Sequence, residues 1–227
     1  MAEINWSSGL DKIKNYSFKV STPQGSGTGF LITYRKKPNF YGIATAYHVI
    51  AHAYNWETPI KLLSAGSGQE KLLHTNERVI ITNPKKDVAI ILVSASDLNI
   101  PADLPNLCPE DRYLKPGEQV AWAGYPAVAP NQFSFFMGCV SSFIQSSGAY
   151  LMDGVAINGV SGGPAFTVIG NDIHIIGLVS AYIPNRLGGE SLPGVCFVVG
   201  IYPFYEMVKN MKNFEDAEDK AKEQNNN

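Results

Sequence analysis

The chain has 227 residues and a formal net charge of −2, with hydrophobic residues making up 45% of it and charged residues 17%. This balance is typical of a folded globular protein and excludes a disordered chain. Because no basic surplus is available to neutralise phosphates, we expect no nucleic-acid partner.

The first fifteen residues lack the basic-then-apolar pattern of a signal peptide, and no apolar run reaches about 18 residues. We therefore expect a cytoplasmic protein without a membrane partner. Its three cysteines, Cys108, Cys139 and Cys196, are odd in number and widely scattered. This pattern predicts buried free thiols rather than a disulfide framework or a metal site, and we expect no metal and no cofactor.

Short β-rich segments separated by Gly, Pro, Asn and Ser clusters dominate the chain. They are TGFLITY (28–34), YGIATA (41–46), ERVIIT (77–82), DVAIILV (87–93), EQVAWAG (118–124), DIHIIGLVSAYI (172–183) and VCFVVG (195–200). Many short strands with turn signals between them predict an all-β sandwich or barrel. The Pro- and Asp-rich segment 96–117 is a predicted linker between two β halves, about 17–95 and about 118–200.

Apolar residues recur at helical spacing near the end of the chain. Phe204, Met207, Val208 and Met211 predict an amphipathic closing helix over about 203–213, packed on the β core. Residues 1–213 then form the predicted domain. Residues 214–227 are polar and mixed in charge, which indicates a solvated tail or a linker.

The stretch INGVSGGPAF (157–166) surrounds Ser161 with three glycines. It fits G-x-S-x-G, the nucleophile elbow of α/β-hydrolases, in which the acid and the histidine follow the serine. Here a single histidine, His174, follows within an apolar strand pattern. The residues after Gly163 are β-branched and aromatic rather than helix-forming, so the elbow interpretation fails.

The opposite order is complete upstream of Ser161. His48 closes a strand pattern in TAYHV (45–49), and Asp87 opens the apolar run of DVAIILV. His52 and His74 are interpreted as an exposed residue and a loop residue. The competing acids, Asp97, Asp103 and Asp111, lie in the predicted linker.

With GSGTGFLI, TAYHV, DVAII and NGVSGGPAF in this order, the sequence resembles the chymotrypsin-like (trypsin-like) serine peptidases, most closely their bacterial HtrA/Deg-type branch. The resemblance spans about residues 17–210 and implies two β-barrels with the active site between them and a C-terminal helix. It implies that His48 is the general base and then the acid, and that Asp87 holds the imidazole. Ser161 would be the nucleophile, and the N–H groups of Gly159 and Ser161 would form the oxyanion hole.

The resemblance also implies a primary specificity pocket. Its floor would be Val155, six residues before the serine, and its walls Ser180, Ala181 and Tyr182 on one side and residues 193–195, with Gly194, on the other. Because the predicted floor carries no carboxylate, a buried Lys or Arg of the substrate would lack a partner for its charge. We expect a small or medium aliphatic residue before the cut bond.

One position departs from the secreted trypsin pattern. Val160 stands where secreted enzymes carry the aspartate that receives a new N-terminus, so activation by N-terminal insertion is not expected. The sequence thus predicts a serine endopeptidase acting on protein or peptide substrates, controlled by a partner protein, a fused domain or an activation loop. The alternative is a catalytically inactive protease-fold module for binding or scaffolding.

Overall fold

The computed structural model describes residues 6–36, 39–94, 98, 101, 104–169, 172–180 and 194–210. Two β-sheets account for most of these residues. The elements of the first half are α1 (Trp6–Asn15), β1 (Ser17–Thr22), β2 (Gly25–Lys36), β3 (Asn39–Ala46), α2 (Tyr47–Asn55), β4 (Ile60–Ser64), β5 (Glu70–Leu73), β6 (Arg78–Asn83) and β7 (Val88–Ser94).

The second half is built of strands and closes with a helix. Its elements are β8 (Asn106–Leu107), β9 (Gln119–Gly124), β10 (Ser134–Ile144), β11 (Ala149–Asp153), β12 (Pro164–Ile169), β13 (Asp172–Val179), β14 (Val195–Gly200) and α3, residues 202–210. The segment after the Ser161 loop is therefore a strand, β12, as its β-branched composition predicts.

Each half of the chain forms one sheet. The first has the strand order β5-β4-β1-β2-β3-β7-β6 and makes a half-barrel. The second has the order β12-β9-β10-β11-β14-β13-β8, and an additional β12–β13 pairing closes six of its strands into a barrel. The predicted all-β, two-barrel architecture with a C-terminal helix is confirmed.

The central strands of the first sheet are buried on both faces. In β7, Val88 and Ile90 belong to the apolar cluster centred on the second barrel, whereas Ala89 and Ile91 belong to that of the first. Successive side chains of a strand point to opposite faces, so the run DVAIILV has no polar face. The first sheet thus packs against the second barrel, and Ala46 and Val88, which pair where β3 ends and β7 begins, belong to the apolar cluster between them.

Helix α3 closes the contact between the two halves. Its Phe204 is fully buried, and the ring meets Phe30 of β2 edge-on with 6.3 Å between centroids. Positions 211–213 of the predicted helix and the predicted tail, 214–227, lie outside the described residues. None of the helices in the described ranges is long and apolar enough to cross a membrane.

Part of the predicted linker pairs with the second sheet. Asn106 and Leu107 form β8, which runs parallel to β13, and the Cys108 N–H donates to the Ile175 carbonyl at 2.8 Å. All three cysteines are free, Cys108 and Cys196 being buried and Cys139 half-buried. Burial raises the pKa of the Cys196 thiol to about 12.

Candidate active site

His48 lies in the first turn of α2, directly after β3 ends at Ala46. The sequence predicts a strand end here, but a helix begins at Tyr47. Asp87 accepts hydrogen bonds from the first two N–H groups of the helix. The Tyr47 N–H donates to the Asp87 carbonyl at 3.1 Å, and the His48 N–H donates to Asp87 Oδ1 at 3.0 Å. Because Ala46 has no side chain that could cap the helix, Asp87 provides acceptors for N–H groups that would otherwise lack a partner at the helix N-terminus.

The same carboxylate holds the imidazole ring. His48 Nδ1 lies 2.8 Å from Asp87 Oδ2 and 3.1 Å from Oδ1. Because the backbone and the ring of one residue bind one carboxylate, the orientation of the imidazole is fixed at both ends. A neutral imidazole held in this way keeps its other nitrogen, Nε2, as the acceptor.

Asp87 occupies an uncommon backbone conformation. Its φ of 54° and ψ of 42° are left-handed, and they turn the chain from a short 3₁₀ turn, Pro84–Lys86, into β7. Non-glycine residues in this region carry strain that the surrounding structure must offset. Because Asp87 is only 8% exposed, its carboxylate relies on protein donors, and these are supplied by His48 and by Ser180.

Ser180 makes a contact that the sequence pattern does not reveal. Its side chain is fully buried, and its hydroxyl donates to Asp87 Oδ2 at 2.6 Å, a short distance typical of a charge-assisted hydrogen bond. The hydroxyl thus contacts the carboxylate that holds His48, and the predicted pocket wall of Ser180, Ala181 and Tyr182 stays a prediction.

A buried threonine holds the loop that carries Ser161. The Thr28 N–H donates to the Ser161 carbonyl at 2.8 Å, and the Thr28 hydroxyl donates to the Gly159 carbonyl at 2.9 Å. The same hydroxyl accepts the Tyr125 N–H at 3.0 Å. Strand β2 thus fixes the serine loop against the segment after β9, and Thr28 is a site residue that the sequence pattern does not reveal.

The glycines of the serine loop are required by its geometry. Gly159 and Gly162 have φ of +91° and +83°, a region that L-residues rarely adopt. A Cβ on Gly159 would lie 2.3 Å from the Tyr125 carbonyl oxygen, and one on Gly162 would lie 2.2 Å from that of Thr28. In the described part of the chain, the N–H groups of Gly159 and Ser161 have no protein acceptor.

Ser161 and His48 line one cavity of about 360 Å³. Asn158, Gly159 and His52 also border it, as do residues at the turn between β1 and β2. His52, which the sequence indicates to be exposed, is half-buried here, and its Nδ1 lies 3.3 Å from the Thr58 hydroxyl. Ser161 is only 5% exposed, and no hydrogen bond of its hydroxyl occurs within the described residues.

A larger cavity of about 420 Å³ lies elsewhere, lined by Lys12, Asn15 and Asp172 among others. No predicted site residue borders it. Within the described ranges, no group of three or more His, Cys, Asp or Glu side chains is placed to hold a metal ion.

The predicted specificity pocket is described only in part. Val155 is 51% exposed, and its carbonyl accepts the indole N–H of Trp122 at 3.2 Å. Gly194 has a φ of +85°, and its carbonyl accepts the Gly154 N–H at 2.9 Å. Ala181 and Tyr182 lie outside the described residues, so the pocket assignment stays a prediction.

Structure comparison finds the same fold in solved structures of other proteins. A serine endoprotease from Yersinia pestis matches with a TM-score of 0.68 and 16% identity over 92% of this chain and 67% of its own. Deg5 matches with a TM-score of 0.65 and 18% identity over 91% and 95%. Rv3671c from M. tuberculosis H37Rv, in an inactive mutant form, matches with a TM-score of 0.63 and 18% identity over 90% of both chains.

These likenesses agree with the predicted HtrA/Deg-type resemblance at the level of the fold. A comparison with curated protein sequences finds no match. The family described as the trypsin-like peptidase domain matches residues 27–178, which contain His48, Asp87 and Ser161. The chain belongs to the trypsin-like peptidase domain family.

Proposed function

We propose that the protein is a serine endopeptidase that cuts protein or peptide substrates through an acyl-enzyme. The observation that carries the proposal is the His48–Asp87 pair, 2.8 Å apart, with His48 in the wall of the same cavity as Ser161. A hydroxyl is a weak nucleophile until an adjacent base takes its proton, and an oriented neutral imidazole is such a base.

In the first step, Ser161 Oγ bonds to the carbonyl carbon of the substrate while its proton passes to His48 Nε2. Asp87 stabilises the resulting imidazolium. The C–N bond then breaks, and His48 returns the proton to the leaving amine. Water attacks the acyl-enzyme by the same sequence, and the acid product leaves with Ser161 restored.

The oxyanion formed in both steps would accept hydrogen bonds from the Gly159 and Ser161 N–H groups. Two features support this role: neither N–H has an acceptor among the described residues, and Gly159 keeps the positive φ of the loop. Fixed donors aimed at developing charge supply a large share of catalysis, and losing one costs about 10²–10³ in kcat.

For the substrate we propose a small or medium aliphatic residue before the cut bond. Val155 presents an apolar, half-exposed side chain at the predicted floor, and the residue carries no charge to attract Lys or Arg. A peptide-library digest read by mass spectrometry tests this preference, and a majority of cuts after Lys or Arg would refute it.

We further propose that activity is controlled by a partner or a fused domain rather than by N-terminal insertion. Val160 is fully buried among apolar side chains, so this position offers no carboxylate to a new N-terminus. Adding residues to the N-terminus should leave the cleavage rate unchanged.

The decisive experiment compares the cleavage of a peptide library by the wild type, Ser161→Ala and His48→Ala. Both variants should lose at least about 10⁴ in kcat, because the groups of a triad act as one unit. Ser67→Ala, which changes an exposed serine in the turn after β4, is the matched control and should keep full activity. Unchanged cleavage by Ser161→Ala would refute the proposal, and an inactive wild type that binds peptide would favour a binding module.

A further inference from the structure

The segment that follows β9 lies directly on the predicted oxyanion loop. The Ala127 N–H donates to the Asn158 carbonyl at 2.6 Å, and the Tyr125 carbonyl stands where a side chain on Gly159 would be. In a trans peptide the C=O and the following N–H point in opposite directions. Holding the Asn158 carbonyl toward Ala127 therefore turns the Gly159 N–H away from this segment.

Only the start of segment 125–132 is buried: Tyr125 is 5% exposed and its ring meets Phe133 edge-on, whereas the residues after Pro126 have little apolar packing. Ala127, Val128 and residues 130–132 are exposed, Val128 by 79%. Its internal hydrogen bonds are two turn contacts, Ala129 N–H to the Pro126 carbonyl at 2.9 Å and Gln132 N–H to the Ala129 carbonyl at 3.0 Å. A segment with few buried apolar contacts opens readily unless polar contacts hold it.

One such contact comes from the first sheet. Lys19 of β1 donates from Nζ to the Pro130 carbonyl at 2.7 Å, across 111 residues of sequence. The same ammonium lies 5.9 Å from the centroid of the Tyr125 ring, within the range of a cation–π interaction. One cation thus binds both ends of the stretch 125–130.

Nothing else in the described part of the chain uses the Lys19 charge. No carboxylate lies within ion-pair distance of its Nζ among the described residues, whereas the exposed Lys61, on the neighbouring strand β4, pairs with Glu70 at 2.7 Å. Lys19 donates to the backbone carbonyl of Pro130, so a movement of segment 125–130 would break this hydrogen bond.

We propose that Lys19 is a positioning residue for the oxyanion hole: it holds segment 125–130, which orients the Asn158–Gly159 peptide. This inference rests on the proposed peptidase function. Lys19 acts through Pro130, Tyr125 and Ala127 rather than by touching the substrate. Its removal should therefore lower transition-state stabilisation without weakening substrate binding.

The test uses Lys19→Met, which keeps an apolar stem and removes the charge, with Lys61→Met as the matched control on the next strand. We expect kcat to fall about tenfold in Lys19→Met, less than the 10²–10³ lost with an oxyanion donor itself. KM should stay within about twofold, and a peptide aldehyde, whose adduct places an oxyanion in the hole, should bind about tenfold more weakly. Lys19→Arg should recover part of the kcat, and Lys61→Met should match the wild type.

A readout independent of activity accompanies the kinetics. Amide hydrogen exchange should become faster in peptides covering 125–133 and 157–161 of Lys19→Met, and stay unchanged in Lys61→Met. The inference would be overturned if these peptides of Lys19→Met exchanged at the wild-type rate. It would also be overturned if kcat and aldehyde affinity fell equally in Lys19→Met and Lys61→Met. If the wild type neither cleaves nor forms an aldehyde adduct, the proposed function fails, while exchange still decides whether Lys19 holds the segment.

Discussion

The hydrogen bond from Ser180 to Asp87 makes a prediction that can be worked from the structure. Ser180→Ala removes a donor that lies 2.6 Å from Oδ2 of the buried Asp87, leaving that oxygen only the His48 contact. A hydrogen bond to a charged group contributes about 1.5–3 kcal/mol to the free energy of unfolding. For a chain of this length the melting temperature should fall by about 3–12 °C.

Catalysis should suffer in the same variant, because Asp87 would hold the imidazole less firmly. We expect kcat to fall about ten- to hundredfold with KM nearly unchanged, well short of the ~10⁴ lost when the carboxylate itself is altered. Thermal melts followed by circular dichroism and steady-state kinetics on a peptide substrate measure the two effects.

The matched control is Ser17→Ala. Ser17 is equally buried, but its hydroxyl donates to the neutral Ile13 carbonyl at 2.8 Å, so the loss should be about 0.5–1.5 kcal/mol without an effect on kcat. If Ser180→Ala costs no more stability than Ser17→Ala and keeps the wild-type kcat, the role given to Ser180 is wrong.

Three further outcomes can be measured on single variants or on the wild type. Gly159→Ala should lower kcat at least about 10²-fold, because its Cβ would lie 2.3 Å from the Tyr125 carbonyl oxygen. The control is Gly68→Ala: Gly68 has a φ of +70° but no neighbouring atoms around its Cβ position, so this variant should keep full activity. The same kcat in both variants would refute the prediction. The Cys196 thiol, whose pKa burial raises to about 12, should resist alkylation at neutral pH until the protein unfolds, and rapid labelling of the folded protein would contradict its burial. Burial raises the pKa of Tyr125 from 10.0 to about 12, so this hydroxyl loses its proton at lower pH in the unfolded state than in the folded state. The free energy of unfolding should therefore fall as the pH rises from 10 to 12. Denaturant titrations should show a smaller fall for Tyr125→Phe.

The architecture and the order of the site motifs could be predicted because each depends on the residues of a short stretch of sequence. The run VAIILV (88–93) is apolar at every position because β7 is buried on both faces, and the glycines around Ser161 mark a loop whose positive φ angles favour glycine. Strand β10, in contrast, carries half-buried residues interrupted by Gly138 and two serines, so it gives no clear period-two signal.

Contacts between distant segments could not be predicted. The start of α2 at Tyr47 depends on acceptors supplied by Asp87, and residues 47–50 at the start of the helix have only modest helical preferences. The pairing of Ser180 with Asp87 joins positions 93 apart, and that of Lys19 with Pro130 joins positions 111 apart. A single sequence contains no pattern that reports such pairs.

The central claim is that Ser161 is a nucleophile activated by His48. Labelling with a fluorophosphonate probe followed by peptide mapping tests it most directly, because the probe bonds covalently to an activated serine hydroxyl. The account predicts one adduct, on Ser161, that disappears in Ser161→Ala and in His48→Ala but persists in Ser67→Ala. An adduct on another serine, or peptide cleavage by a protein whose Ser161 stays unlabelled, would contradict it.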